Sequence, residues 1–560
     1  MLGRIGRVGV GVVVVVLTLS TVPAFGQGTA ASIIGRVTDQ TGAVLPGVTV
    51  TATSPALQVP QMAAVTNEVG EYRLAPLAVG VFEIAFDLQG FQPIRRQDIR
   101  LTVGFTARVD VSLGVATVGE TITVSGTAPI VDVTSTSGST LLTNEILQLT
   151  ATPRNSVMSV LTLAPAVRSF LDIGGGQMML ENPAARAYGI GAQTWYTIDG
   201  VQNYRLGSTF WDYQAFDEVR IQGHGGDAEA PTRGVQVTAV VKSGGNEFHG
   251  GGFWAGTNSN FQSDNVDDKL KAIGIDSGDA LDGQHDVSGE LGGRIIRNRL
   301  WFYSSARHRR AAYDVLGNLQ PDGSPGQTIN TQRIFTNKVS FQTTPSNKIT
   351  FMNMWEHGDE QKGLSRLIAY ESREFKTNDR PHTKVEWEGV RGSAFIADMQ
   401  FGHSRQDGES PFLNSPPLVG SSDLETERIW GDGVVFGETS YARFYHIKGN
   451  VTLYKSNWAL GNHEFRAGFD EGIGTNQYPG MSSKSPNYHV QYSNGVADRV
   501  AFFNGPVTPD RRLNLLGVYV RDKWAPTRRL TLNLGLRYAH ESVNVPAQCQ
   551  IGRASWRGRV

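Results

Sequence analysis

Apolar residues recur along this chain with a period of two, and the stretches between them differ in length and chemistry. Leu530, Leu532, Leu534, Leu536 and Tyr538 share one face of a predicted strand and Thr531, Asn533, Gly535 and Arg537 the other, because successive side chains of a strand point to opposite sides. Tyr445, Ile447, Gly449, Val451 and Leu453 alternate in the same way against Phe444, His446, Lys448, Asn450 and Thr452. Here the polar set carries charge, which suits a wet lumen better than a dry core. Residues 300–309, 338–342, 348–356, 394–403 and 515–524 supply further candidates, and with weaker runs the total reaches about eleven or twelve strands. Nine alternating residues reach across the ~25 Å apolar band of an outer membrane, and a terminal aromatic suits its interface. Residues 246–548 are therefore predicted to form a partial antiparallel transmembrane β-barrel.

The connections agree with that prediction. Polar stretches at 311–331, 359–379, 406–439 and 474–510 are longer than the loops of compact soluble domains and are expected as extracellular loops. Residues 344–347 and 525–528 are expected as the short turns of the opposite, periplasmic side.

The first part of the chain has another texture. Short β-branched runs at 33–37 and 48–52, followed by runs at 71–74, 82–86 and 107–113, are separated by turn residues such as Asp39, Thr41, Gly42, Pro46 and Gly47. This spacing predicts a β-sandwich over residues 32–115, with Val48, Val50, Leu74 and Ile84 in its core. Residues 155–163 are expected to be helical, so 141–245 is predicted as a mixed α/β unit. Before all of this, Arg4 and Arg7 precede an apolar run at 8–17 and a small-residue site at Ala24 and Gly26. The run is too short to span a bilayer as a helix, and residues 1–26 are expected to be a cleaved secretory signal.

Composition narrows the chemistry. Lys and Arg number 51 against 52 Asp and Glu, a net charge of -1, which leaves no basic excess for a nucleic-acid partner. The single cysteine, Cys549, excludes a disulfide framework and any multi-thiolate metal site. No cofactor, metal or catalytic residue is expected. Two patterns of enzymatic residue types have blander readings. His357 and Glu360, with His489 far downstream, have the residue types of a zinc carboxypeptidase site, but they fall at a strand end and in a surface loop. His249 and the following glycines look like a lipase oxyanion loop, yet no Gly-x-Ser-x-Gly accompanies them, and a flexible link into the first barrel strand is expected instead. Gly174, Gly175 and Gly176 lack the Lys-Ser/Thr of a phosphate loop and are expected to be a turn.

Several motifs carry a resemblance. "GRVTDQTGAVLPGVTV", "TNEVGEYRLAPLAVGVFEIAF" and "ARVDVSL" are similar to the carboxypeptidase-regulatory-like domain, an immunoglobulin-like β-sandwich whose name implies no peptidase activity. "LQLTATPRNSVMSVLTLAPAV", "YTIDGVQN" and "FDEVRIQGHGGDAEAPTRGVQVTAVVKSGGNEFHG" resemble, in order and spacing, the plug domain of TonB-dependent outer-membrane receptors. One departure is Ala230-Pro231-Thr232-Arg233-Gly234, where the family usually shows an aromatic and a further glycine. "YVRDKWAPTRRLTLNLGLRYAHES" is similar to the family's barrel signature.

Within the linker 116–140, Glu120, Thr121, Ile122, Thr123, Val124 and Ser125 form a β-prone hexapeptide that resembles the TonB box. An extended segment with free edges suits capture by a partner's sheet. The resemblance implies that TonB, an inner-membrane energy-transducing protein, pulls this segment so that the plug is remodelled and an unidentified extracellular ligand passes. It also implies surrounding outer-membrane lipid. Siderophores, oligosaccharides and peptides are the ligand classes to consider. Trp195, Trp211 and Trp254 are able to stack on a sugar, but suit packing or the interfacial girdle equally. The alternatives are an outer-membrane adhesin or structural β protein without transport and, more remotely, a secreted zinc metallopeptidase. Family members close with ~22 strands, so this chain reads as a fragment that is not itself expected to transport. Residues 549–560 lose alternation and turn basic, and are read either as a non-native tail or as a short basic terminus.

Overall fold

The computed structural model describes the chain between Ala31 and Val545 apart from the internal stretches 116–121, 125–137, 151–157, 169–185, 188–193, 203–211, 274–279, 411–417, 433–435, 478–481, 484–487 and 503–509 and a few shorter ones. The expected signal segment, the 549–560 tail and Gly174 to Gly176 lie outside the described residues.

The first unit is a two-sheet sandwich. Ala31–Asp39 pairs with Glu71–Leu77 on one side and runs parallel to Thr106–Arg108 and Val111–Leu113 on the other. The facing sheet has the order Met62–Val65, Thr49–Thr53, Gly80–Asp87, Ile94–Leu101 and Ile122–Val124. Val48, Val50, Leu74 and Ile84 lie in its core as expected, with Phe82 and Phe86. Gly35 is required where it stands, since a Cβ there would run into the Val109 carbonyl. The expected turn after Asp39 is held by its own carboxylate, which accepts from the Thr41 N–H (2.9 Å) and hydroxyl (2.7 Å) and the Ala43 N–H (2.8 Å), an Asx-type turn.

The second unit is a mixed five-stranded sheet in the order Gly138–Thr143, Phe216–His224, Gln236–Val241, Trp195–Ile198 and Val201–Gln202. It begins at Gly138, inside the stretch read as linker. Of the helix expected at 155–163, Met158–Leu161 is described, and a second helix, Asn144–Leu149, is capped by the Thr143 hydroxyl.

The third unit is one antiparallel sheet of eleven strands, paired in chain order from His249–Asn258 to Leu530–Asn544. It curves around the second unit, and Tyr303, Ile334, Met352 and Met354 of its inner face join the second unit's apolar cluster. Two expectations are corrected here. His249 and its glycines are not a flexible link; they open the first strand, paired residue by residue with Gly289 to Gly292. The loops expected at 311–331 and 359–379 shrink to 320–324 and 363–373, because the strands Leu300–Leu319 and Pro325–Thr344 run to 20 residues each. At about 3.4 Å per residue such strands rise far beyond a ~25 Å apolar band. Outside lipid neither face has to be apolar, so the alternation that marks a strand disappears while its hydrogen bonding continues. The other two long connections remain, and carry a small sheet in which Ser421–Asp423 lies between Ile429–Trp430 and Tyr488–Ser493.

Candidate functional site

Chain reversals place chemistry where the plug-like sheet meets the wall. Asp199 and Gly200 both have positive φ, 49° and 85°, and close the hairpin between Trp195–Ile198 and Val201–Gln202 as Asp-Gly turns favour. The turn carries the Asp199 carboxylate to Lys338 of the wall, 2.8 Å away, while Lys384 donates to the Asp199 carbonyl at 2.6 Å. Burial opposes the charge of Asp199, yet Lys338 and Lys384 hold its carboxyl below the usual range.

A second reversal, 227–230, is closed by a bond from the Ala230 N–H to the Asp227 carbonyl (3.0 Å), and the Asp227 carboxylate accepts from the Glu229 N–H at 3.0 Å. It aims Glu229 at Lys448 (2.9 Å) and Arg466 (2.6 Å), and Asp227 at Arg521. Burial again works against the charge, but Arg466, Lys448 and Arg521 hold the Glu229 carboxyl far below its ordinary value. Lys242 meets Glu290 at 2.7 Å, and Glu290 also accepts from the Tyr303 hydroxyl at 2.6 Å. Ion pairs and hydrogen bonds, which can be exchanged for water, thus join the inner unit to the wall beside the shared apolar cluster.

His446, Lys448, Asn450 and Thr452, read from sequence as a lumenal face, do face inward. His446 accepts from the Gln202 N–H at 3.2 Å, and Asn450 and Thr452 are buried. Asp199, Glu229, Lys338 and Lys384 were not anticipated. Their signal was available in part: Asp199 and Glu229 stand in the motifs "TIDG" and "DAEA", and the lysines at polar positions of alternating runs.

At the end of the barrel that carries the short turns, the sandwich is docked. Arg73 pairs with Glu464 at 2.9 Å and lies over the Tyr454 ring at 4.8 Å. Asn462 donates to Glu71 at 2.9 Å and Asn67 to the Ser456 hydroxyl at 3.2 Å. The Val103 N–H donates to Glu218 at 2.6 Å. Burial pushes the Glu218 carboxyl up to about 7, helped by Asp217 and opposed by the Val103 N–H, Arg220 and Arg100. A cavity of about 440 Å³ lies where the three units meet, lined by Arg73, Trp195, Arg220, Glu229, Glu464 and Arg466 among others.

The remaining candidates are placed as follows. Ile122–Val124, the middle of the candidate TonB box, runs parallel to Ile94–Arg96 at the edge of the sandwich's five-stranded sheet. Glu120, Thr121 and Ser125 lie outside the described residues. One edge of the segment is therefore already paired, where free edges were expected. His357 and Glu360 do not converge. His357 binds Asp379 (2.9 Å) on the outer face, three strand positions from the inward, buried Glu360, and His489 sits in the loop sheet. Trp254 is exposed on the first strand, Trp195 lies in the inner sheet, and Trp211 is outside the described residues.

Comparison with known proteins agrees with this architecture. Residues 32–114 match the carboxypeptidase regulatory-like domain and residues 317–554 the outer membrane beta barrel domain. The TonB-dependent transporter Oar of Myxococcus xanthus is 29% identical over 345 residues, which are 58% of this chain and 31% of that protein. Among solved structures, the outer membrane transporter YddB of Escherichia coli superposes with a TM-score of 0.56 at 14% identity, covering 73% of this chain and 57% of its own. The ferripyoverdine receptor of Pseudomonas aeruginosa gives 0.52 at 13%, covering 73% and 52%. The chain therefore spans about a third of its curated relative and little more than half of these receptors. The relatives are transporters and receptors, not enzymes, and they indicate the outer membrane. By sequence this chain is similar to the TonB-dependent transporter Oar over 58% of its length, and its inner sheet within an eleven-stranded wall has the fold of the TonB-dependent receptors.

Proposed function

We propose that the chain belongs to a transporter for energised uptake across the outer membrane, in which residues 138–241 are the plug. Ligand binds on the side of the long loops, TonB captures Glu120 to Ser125 by strand addition, and the pull rearranges the plug. No bond of the ligand need be made or broken. Export through a cleaved signal at residues 1–26 belongs to the same reading. The ligand is a siderophore, oligosaccharide or peptide; the ferripyoverdine receptor's likeness favours testing ferric siderophores first.

The observation that carries the reading is the polar attachment of the plug. Asp199, Glu229 and Lys242 are each matched by opposite charge on the wall. Such pairs can be exchanged for water when they part, so these contacts can be broken and remade as the plug moves. Deleting residues 120–125 in the full-length transporter tests it. Uptake of radiolabelled ferric siderophore, screened across several classes together with labelled oligosaccharides and peptides, should be lost while outer-membrane insertion is retained. An adhesin would keep its surface binding after the deletion and show no energised uptake before it.

A further inference from the structure

The sandwich holds two bodies at once. Arg73, Glu71 and Asn67 bind the barrel hairpin that carries Ser456, Asn462 and Glu464. Val103 binds the plug strand Phe216–His224 through both its peptide groups: its N–H donates to Glu218 at 2.6 Å and its carbonyl accepts from Arg220 at 3.2 Å. Gln58 grips the link between plug and barrel, donating to the Gly244 carbonyl and accepting from Asn246, each at 3.1 Å. Gly244 itself passes so close to the wall that a Cβ would strike the Phe302 carbonyl.

The ion pairs also form an unbroken line through all three units. Arg73 of the sandwich pairs with Glu464 of the barrel at 2.9 Å, Glu464 with Arg521 at 3.3 Å, and Arg521 with Asp227 of the plug. The side chains of Arg73, Glu464 and Arg521 are largely buried, so removing one member leaves its neighbours short of a counter-charge.

From this we propose that the N-terminal sandwich is a periplasmic clamp. While docked, it ties the plug to the barrel wall, and the plug moves only after the sandwich lets go. A brace fixed to both the static and the moving part forbids their relative displacement, whichever direction the plug takes. Because the line of pairs is shared, loosening the sandwich at Arg73 weakens the hold on Asp227 as well, and release spreads from sandwich to plug. The candidate TonB box lies on the sandwich's own sheet, so a pull applied there reaches the clamp before the plug.

The inference rests on the reading of residues 138–241 as a plug that moves, but its test uses neither ligand nor TonB, so clamp and uptake can fail separately. In the full-length protein folded in detergent, hydrogen exchange is followed in the plug strands Phe216–His224 and Gln236–Val241 and in the sandwich strands Ala31–Asp39 and Gly80–Asp87. The double variant Arg73→Ala, Glu218→Ala should speed exchange in the plug strands about tenfold or more while the sandwich strands keep their protection. Unchanged plug exchange overturns the clamp. Should the sandwich itself lose protection, a second variant decides: Asn67→Cys with Ser456→Cys in a Cys549→Ser background, bridged by a short bifunctional maleimide, removes no buried charge. Bridging should slow plug exchange relative to the singly labelled protein, and equal rates overturn the proposal.

Discussion

The sandwich and the barrel are both made of alternating strands, and they bury opposite halves of the alternation. In the sandwich Val50 and Ile84 are fully buried and their polar neighbours face water. In the barrel Glu356, Asp398 and Asn450 are fully buried while Phe351, Val518 and Leu536 are exposed by 43%, 49% and 74%. The same local pattern thus answers to two solvents. A dry interior selects the apolar face in one unit, whereas lipid outside and a polar plug inside select the polar face in the other. Ion pairs consequently stand beside the shared apolar cluster as contacts between wall and inner unit.

The most severe way to break the comparison is to remove volume from the sandwich. Phe86→Ala should cost that unit about 3–5 kcal/mol, read as protease cleavage between residues 31 and 113 of the whole protein while the barrel strands stay protected. Cleavage spreading into the barrel would show that the two units do not fold independently. Next in size, Val518→Arg puts a charge on the lipid face and should cost about 2–4 kcal/mol if it lies near the bilayer midplane. The readout is loss of the heat-modifiable, folded band on electrophoresis. An unaffected band would mean that this face meets water.

A smaller effect sharpens the contrast at the junction. Glu218 has a docked-state value of about 7 against an ordinary 4.5, so its contribution to docking is fully present below about 4.5 and is lost as pH rises through 7. Docking should therefore tighten on acidification by up to about tenfold per pH unit within that window. Asp217 raises the Glu218 carboxyl further, while Arg220 and Arg100 oppose the rise. Exchange at the Val103 amide measures the effect, and Glu218→Gln should flatten most of it. A steep profile retained in the variant would assign the titration elsewhere. The smallest effect is expected for Arg95→Ala, which breaks a solvent-exposed pair with Glu83 in the sandwich and should shift its unfolding by less than about 1 kcal/mol. A larger loss would show that this surface is covered in the folded protein.

Much of this architecture was readable from residue order. The core of the sandwich, its Asp39 turn, the lumenal side of His446 to Thr452 and the tight turn between Thr344 and Asn347 all stand where the pattern puts them. What escaped was strand beyond the membrane, where neither face is selected by lipid, and strand without bulky residues, as at His249 and its glycines. The site was less legible than the fold. Glu229 and Lys448 are 219 positions apart and Arg73 and Glu464 are further still. No local spacing announces such a pair, because a charged residue in an alternating run signals only that its face is not in lipid.

Sequence alone determined that the first unit would be a sandwich, that the second would mix helix and sheet, and that the third would expose apolar side chains to a membrane. These follow from period and turn chemistry, which act over a few residues. Only the tertiary structure decided that Asp199 and Glu229 tie the inner sheet to the wall, that Arg73 and Val103 fasten the sandwich to both neighbours, and that Ile122 to Val124 lie on a sheet edge. Each of these depends on distances closed by the whole curved wall, and electrostatic pairing across such distances leaves no trace in the order of residues.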